Sequence, residues 1–385
     1  MKVAVTILAF CVTSLLALGL VMLYSSSMTQ VGAHYLMMQL VWSAFGLVLC
    51  VAATAMDYQW LKKITWPLFV FAALLLLLLL VMGHHSVAGL SAPRINGARR
   101  WFDFHGVRFQ PSELGKIALI IALAWYGDRF QRRMPTFRWG ILFPVVIIGV
   151  ILGLIFVEPD RGTTILLAAV SGSILLLAGV RWKFIIPPVI LAVVALTISI
   201  LHDPMRMRRI FSWLDPEAHK NGVGYQAYQA MIALGSGGWN GLGLGNGRQK
   251  LGFVPEHHTD FIFSIIGEEL GLVATLLVIA TFVVLALCGI YIALHARDTF
   301  GTLLATGITL LISLQAAINI GVVTSALPNK GLPLPFISYG GSNLLAMLTC
   351  VGILFSIARQ AAPAKISASD FVSKSNDNPF AARAT

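Results

Sequence analysis

The feature that most constrains this chain is the recurrence, from end to end, of uncharged apolar runs near twenty residues long, of which residues 64–82 and 272–294 are the clearest. A run of that length crosses the roughly 30 Å hydrocarbon core of a bilayer as one helix, with every backbone N–H and C=O paired inside the segment. The runs are too long and too evenly apolar for the alternating strands of a barrel. With 57% hydrophobic and only 11% charged residues, a soluble globular domain is excluded.

Hydropathy places about ten spans, near 3–23, 36–56, 63–82, 112–127, 139–157, 163–180, 184–201, 261–294, 301–326 and 338–358. The first follows a lone Lys2, is longer than a signal-peptide core and lacks a small-residue cleavage site, so it is read as a retained span. Cys11, Cys50, Cys288 and Cys350 lie inside apolar runs, where thiols act as small hydrophobes and suggest neither a disulfide nor a metal cluster. An even number of spans puts both termini on one side, together with Lys62, Lys63, Arg129, Arg132, Arg133, Arg138, Arg181, Lys183 and Arg297. The positive-inside rule makes that side cytoplasmic. The expected fold is an all-α polytopic membrane protein of about ten transmembrane helices, both termini cytoplasmic, with a large extracytoplasmic loop between spans 7 and 8. One transmembrane domain would cover 1–361, with long extracytoplasmic loops at about 83–111 and 202–260. Residues 362–385, rich in Ser, Asn and Lys, are expected to form a disordered cytoplasmic tail.

The outer loops nevertheless keep arginines: Arg94, Arg99, Arg100 and Arg108 in one, Arg206, Arg208 and Arg209 in the other. Basic residues held against the topological bias suggest an anionic ligand there. The net charge of +11 is dispersed over many short loops, which fits anionic lipid or a phosphorylated lipid substrate and argues against nucleic acid. No internal repeat is visible, so neither a solenoid nor the echoing halves of many transporters is indicated.

The stretch from Gly235 to Gly271 reads as a site: a glycine-rich run, then Arg248 and Lys250, then His257, His258, Thr259 and Asp260 just before an apolar helix that contains Glu268 and Glu269. Carboxylates at membrane depth are functional candidates by default. The glycines lack the pattern of a phosphate-binding P-loop, and tight backbone packing suits them better. The two adjacent histidines have no third ligand at a sensible spacing for zinc.

Six blocks carry a family resemblance: NGARRW from Asn96, FQPSELGK from Phe109, EPDRGT from Glu158, GYQAYQA from Gly224, HTDFIF with GEELG, and LPNKGLPLPFISYGGS from Leu327. On these the chain resembles the SEDS proteins (shape, elongation, division and sporulation), the polytopic peptidoglycan glycosyltransferases that include FtsW, RodA and SpoVE. YSSS at Tyr24–Ser27, RQKL at Arg248–Leu251 and PFISYGGS look more like the division branch than the elongation branch. The chain departs from the family's frequent Gln at Glu158 and apolar residue at Arg161, while Asp160 is present.

The resemblance implies polymerisation of lipid II, an undecaprenyl diphosphate-linked disaccharide pentapeptide, on the outer face of the bacterial cytoplasmic (inner) membrane, for septal wall synthesis at division. A sugar 4-hydroxyl would attack the anomeric carbon of the growing strand, with inversion, and expel the polyprenyl diphosphate. Asp260 is the implied catalytic group; Asp at this position is equally a standard helix N-cap, and both roles can hold at once. A capped Asp260 would stay ionised and be a weak base, taking the proton late or holding a divalent cation, Mg²⁺ or Mn²⁺. Arg100, Lys116, Arg208, Arg209, Lys250 and Lys330 form the pool for diphosphate, each equally at home as a headgroup anchor. Trp101, Gln110, Glu113, Gln226, Gln249, Glu269 and Ser338 complete the substrate-binding set that the matching motifs imply. Lys116 lies three residues after Glu113, a spacing that also suits a structural pair. One of Glu268 and Glu269 is expected to pair with a buried cation such as Lys116. The implied partners are a class B penicillin-binding protein transpeptidase and divisome proteins. An elongation-type polymerase, a lipid II flippase and a non-catalytic scaffold are the alternatives; a flippase needs polar residues through the full bilayer depth, and a scaffold needs none of these residues.

Overall fold

A computed structural model of the chain describes residues 1–361 apart from 28–31, 33, 83–89, 95–98, 105–106, 216, 221, 223 and 256. The expected tail, 362–385, and residues 96–98 of the NGARRW block lie outside the described residues. Among the described residues twelve α-helices carry the fold: α1 (Lys2–Ser27), α2 (His34–Ala55), α3 (Trp60–Met82), α4 (Pro111–Arg129), α5 (Phe143–Val157), α6 (Arg161–Leu177), α7 (Trp182–Leu201), α8 (Pro204–Leu214), α9 (Tyr225–Ser236), α10 (Ile262–Leu294), α11 (Thr299–Val323) and α12 (Gly341–Gln360). Among the described residues eight helices are long and apolar enough to span a bilayer, α5 being counted with the π-helical turn Arg138–Leu142 that leads into it. The remaining two expected spans correspond to α4, which carries Glu113, Lys116, Asp128 and Arg129, and to α6, of 17 residues.

Helix α4 explains its own charge. It is buried from Ile117 to Ala124 without a break and packs against α3, α5, α6, α11 and α12. It meets protein rather than lipid, so Glu113 and Lys116 can sit at its outer turn without facing hydrocarbon. Helix α7 is the opposite case: Ile185 is its one buried residue, and its apolar side chains point outward on every side.

Two helix pairs fix the orientation. Helices α2 and α12 run parallel, with Trp42 against Gly341, Cys50 against Gly352, and Arg359 donating to the carbonyl of Ala55 at 2.8 Å. Helices α1 and α10 run antiparallel, with Ser25 bonded to Glu269 at one end and Cys11 near Cys288 towards the other. The start of α1 and the end of α12 therefore share one end of the bundle. There Lys62 bridges Asp128 and Asp298, both at 2.9 Å, and Asp298 caps α11 through the N–H of Gly301. Burial alone would raise the Asp298 pKa, but hydrogen bonds from Gln59, Tyr58 and Lys62 hold it below the ordinary carboxylate value.

The described parts of the two long loops lie at the opposite end and contain helices and strands that hydropathy does not show. The first contains three short antiparallel strands, β1 (Leu90–Ser91), β2 (Phe102–Phe104) and β3 (Val107–Phe109), with Phe102 opposite Phe109. Phe102 packs on Leu79 and Met82 at the end of α3 and seats the sheet there. The second holds α8 and α9.

Candidate functional site

Asp260 stands one residue before the cap position of α10. That helix starts at Ile262, with Phe261 at its cap position and no side-chain capping bond. The half-buried Asp260 instead belongs to the turn before the helix, which neighbouring elements clamp by its backbone. Asn319 of α11 donates to the carbonyls of Asp260 and Leu332, each at 2.7 Å. The Ser338 hydroxyl donates to the carbonyl of Thr259 at 2.6 Å and accepts the N–H of Leu334 at 2.8 Å. Tyr339 donates its N–H to the carbonyl of His258 at 2.9 Å, and Tyr35 stacks on the His258 ring at 4.5 Å. The Asp260 carboxylate thereby rests against Gly331, where a Cβ would stand 3.2 Å from Oδ2 and where φ is +63°, a conformation that favours glycine. Lys330 precedes Gly331, so the LPNKGLP turn brings a cation and a backbone without side chain to Asp260.

Beneath this turn runs a buried polar chain. Lys116 pairs with Glu113 at 2.7 Å and donates to Gln315 Oε1 at 3.1 Å. Asn343 of α12 donates to Glu113 at 3.1 Å, and Gln315 donates to the carbonyl of Pro333 at 2.9 Å. Gln315 and Asn319, one helical turn apart on α11, thus link the Glu113–Lys116 pair to the segment that carries Asp260. The expected pairing of Lys116 with Glu268 or Glu269 is corrected: Glu113 on its own helix is the partner.

Arg100 spends its guanidinium on the turn between α5 and α6, donating to the carbonyls of Glu158 at 3.3 Å and Pro159 at 2.7 Å. Asp160 caps α6 through the N–H and hydroxyl of Thr163. Gly162 abuts the carbonyl of Lys330, so this turn supports the LPNKG turn. The Glu158 carboxyl is buried and neither oxygen has a hydrogen-bond partner. Burial, reinforced by the nearby Asp160 and partly offset by Arg100, pushes its pKa up to about 8.

The glycine-rich run plugs a break in α10. Gly271 has φ 78° and ψ −174°, which interrupts the helical ladder. The carbonyls of Glu268 and Glu269, freed by the break, accept the N–H groups of Leu242 and Gly243, and Leu272 donates to Gly238. The side chains complete the lock: Glu268 accepts from the N–H groups of Arg248 and Gln249, while Lys250 pairs with Glu269 at 2.6 Å and donates to Ser25 and Gly245, each at 2.9 Å. Assigning Lys250 to diphosphate and Glu269 to substrate is therefore corrected: both are fully buried and bonded to each other and to the loop, and the buried cation expected for one of the two glutamates is Lys250.

The remaining candidates fall in two places. Arg208 and Arg209 are exposed on α8; Arg209 and Gln226 line a cleft of about 290 Å³ between α8, α9 and residues 325–329. There Gln226 donates to the carbonyl of Pro255 and accepts from Asn329. Gln110 precedes α4 with its N–H on the Ser342 hydroxyl, and Trp101 is half-buried beside Arg100 in sequence. Among the described residues no three His, Cys, Asp or Glu side chains converge as a metal site.

The family model described as "Cell cycle protein", covering FtsW, RodA and SpoVE, matches residues 6–362. The chain belongs to this family. It is 40% identical to a protein of Trichlorobacter lovleyi named "Probable peptidoglycan glycosyltransferase FtsW", over 91% of this chain and 92% of that one. A Coxiella burnetii protein of the same name is 39% identical over 91% of this chain and 95% of its own. Among solved structures, a chain described under "Structural coordination of polymerization and crosslinking by a peptidoglycan synthase complex" superposes with a TM-score of 0.76 at 27% identity, covering 91% of this chain and 96% of that one. Rod shape determining protein RodA of Thermus thermophilus gives 0.68 at 26%, covering 92% and 97%.

Within this FtsW/RodA/SpoVE chain, the residues that sequence reasoning missed are Gln315, Asn319 and Asn343. The signal was available, since amides inside apolar helices are costly unless paired. Each looks ordinary alone, and only the fold brings Asn319 onto the carbonyl of Asp260 and Gln315 between Lys116 and Pro333.

Proposed function

We propose that this chain is a peptidoglycan glycosyltransferase of the FtsW type, a multi-pass protein of the cytoplasmic membrane that polymerises lipid II on its outer face at the division septum. The observation that carries the reading is the seating of Asp260, with a fixed backbone and its carboxylate against the Lys330–Gly331 turn. Asp260 would accept the proton of the attacking 4-hydroxyl as the anomeric bond to diphosphate breaks. Lys330, with Arg209 across the outer surface, supplies positive charge for the departing diphosphate. The Glu113–Lys116 pair with Gln315 holds the floor of the site. Among the described residues Asp260 is the carboxylate that would hold a divalent cation here, with substrate phosphate and water able to supply further ligands, as is usual for Mg²⁺. Bound so, it would neutralise diphosphate charge.

The flippase alternative meets an obstacle: below Lys116, α4 is apolar and buried from Ile117 to Ala124, which leaves no polar track down the centre of the bundle on that helix. The partner of the reaction is proposed to be a class B penicillin-binding protein that crosslinks the strands, together with other divisome proteins.

The experiment is polymerisation of purified lipid II by the full chain in detergent, with and without its class B partner and Mg²⁺ or Mn²⁺, comparing wild type with Asp260→Ala. Glycan strands from wild type and none from a folded Asp260→Ala support the reading. Equal polymerisation by Asp260→Ala, or none by wild type with its partner, sinks it.

A further inference from the structure

A cleft of about 400 Å³ opens at the end of the bundle shared by the start of α1 and the end of α12, in the turn that follows α4. Arg129, Arg132 and Arg133 line it with Asp128, but the Asp128 carboxylate is taken by Lys62 at 2.9 Å. Among the described residues no carboxylate pairs with any of the three arginines. Three arginines thus line one concave site, and the one carboxylate beside them is already bonded to Lys62, which favours a ligand with phosphate oxygens.

The site is built on a firm base. Phe130 packs against Tyr126 at 4.9 Å and Trp139 at 4.7 Å, and the Tyr126 hydroxyl donates to the carbonyl of Trp139 at 2.8 Å. The Arg133 guanidinium lies 4.8 Å from the Trp139 ring, which presents its charge at a fixed place.

Charge alone would accept any phosphate; the neighbouring surface selects an amphiphile. Directly beyond the turn, Phe137, Leu142 and Val146 are exposed at the head of α5, by 57%, 49% and 61%. Arginines that only set topology have no need to line one cleft beside such exposed apolar side chains. We infer that this cleft binds the phosphate headgroup of an acidic phospholipid from the leaflet on that side, its acyl chains lying along Phe137, Leu142 and Val146. The site lies at the far end of the bundle from Asp260 and is independent of the glycosyltransferase reading.

The test is native mass spectrometry of the full chain in neutral detergent, titrated with phosphatidylglycerol, with phosphatidylcholine of the same acyl chains, and with inorganic phosphate. Phosphatidylglycerol should bind at least about tenfold more tightly than phosphatidylcholine, given the gain expected for each basic residue near an anionic headgroup. Arg132→Gln/Arg133→Gln should lose roughly tenfold or more of that affinity with phosphatidylcholine unchanged, while Arg132→Lys/Arg133→Lys retains most of it. Equal phosphatidylglycerol binding by wild type and the Gln variant overturns the assignment. Displacement of the lipid by millimolar inorganic phosphate also overturns it, in favour of a free-anion site. If the Gln variant does not fold, the salt dependence of wild-type binding decides: affinity for phosphatidylglycerol that is unchanged between low and high salt overturns the proposal, and a steep loss supports it.

Discussion

The side-chain amide of Asn319 donates to the backbone carbonyl of Asp260 at 2.7 Å, and through its second hydrogen to that of Leu332 at the same distance. One buried side chain on α11 thus fixes the distance between the Asp260 turn and the LPNKGLP turn. Asn319→Ala leaves two carbonyls without that donor, at a cost of about 1–3 kcal/mol for a buried group left unpaired. Because the loss falls on positioning, the polymerisation rate should drop roughly ten- to a hundredfold even where the fold persists. Thermal unfolding and lipid II polymerisation of the same preparation check this; full activity with a lowered Tm would assign Asn319 to stability alone.

The Glu113–Lys116 pair allows a separation of structure from chemistry. Both side chains are buried, so Lys116→Met leaves Glu113 as an uncompensated buried charge, at about 3–5 kcal/mol. The double variant Glu113→Gln/Lys116→Met removes both charges and should regain most of the lost stability. If polymerisation returns with stability, the pair is scaffolding; if the double variant is stable and inactive, one of the two acts on substrate. A double-mutant cycle on Tm and on rate gives both answers.

Much of this arrangement is legible before any coordinates. The apolar runs give the helices because a bilayer permits so few alternatives, and the HTDF and LPNKGLP blocks mark the two turns that meet. The pairings are another matter. Lys116 and Glu113 are local, so their spacing reveals them, whereas Lys250 with Glu269 depends on the break at Gly271, which lets the glycine-rich run enter α10. Asp260 looked like an N-cap because cap chemistry and site chemistry use the same residue type. In the fold α10 starts at Ile262, behind Phe261, with no side-chain capping bond.

Glu158 predicts a pH dependence with a definite sign. Its folded pKa, about 8, lies above the 4.5 of the free group, so the folded protein binds the proton more tightly than the unfolded chain does. The associated stability is fully present below about pH 4.5 and is lost as pH rises towards and through 8, a loss of a few kcal/mol in order of magnitude. Glu158→Gln keeps the neutral shape without the proton and should flatten the curve, with its largest stabilisation over wild type at alkaline pH. Tm measured from pH 5 to 9 for both proteins tests this, and parallel curves would refute a neutral Glu158.

The Lys250–Glu269 pair gives the last prediction, and it runs against the sequence reading that placed Lys250 on diphosphate. Lys250 holds Glu269, Ser25 and the carbonyl of Gly245 together, and Glu269 in turn accepts the N–H of Gly245. Lys250→Met should therefore release the glycine-rich run from the broken helix, costing about 3–5 kcal/mol for the buried carboxylate left behind. Glu269→Gln should cost a similar amount, because it leaves the buried Lys250 charge without its carboxylate, and one amide oxygen cannot accept both from Lys250 and from the N–H of Gly245, which bond different oxygens of Glu269. A diphosphate ligand would behave differently, since its loss would raise KM for lipid II while leaving Tm unchanged. Hydrogen exchange over residues 237–250 provides the local readout: faster exchange in Lys250→Met, with KM unchanged in whatever fraction remains folded, is the outcome expected of a lock between α1, α10 and the loop.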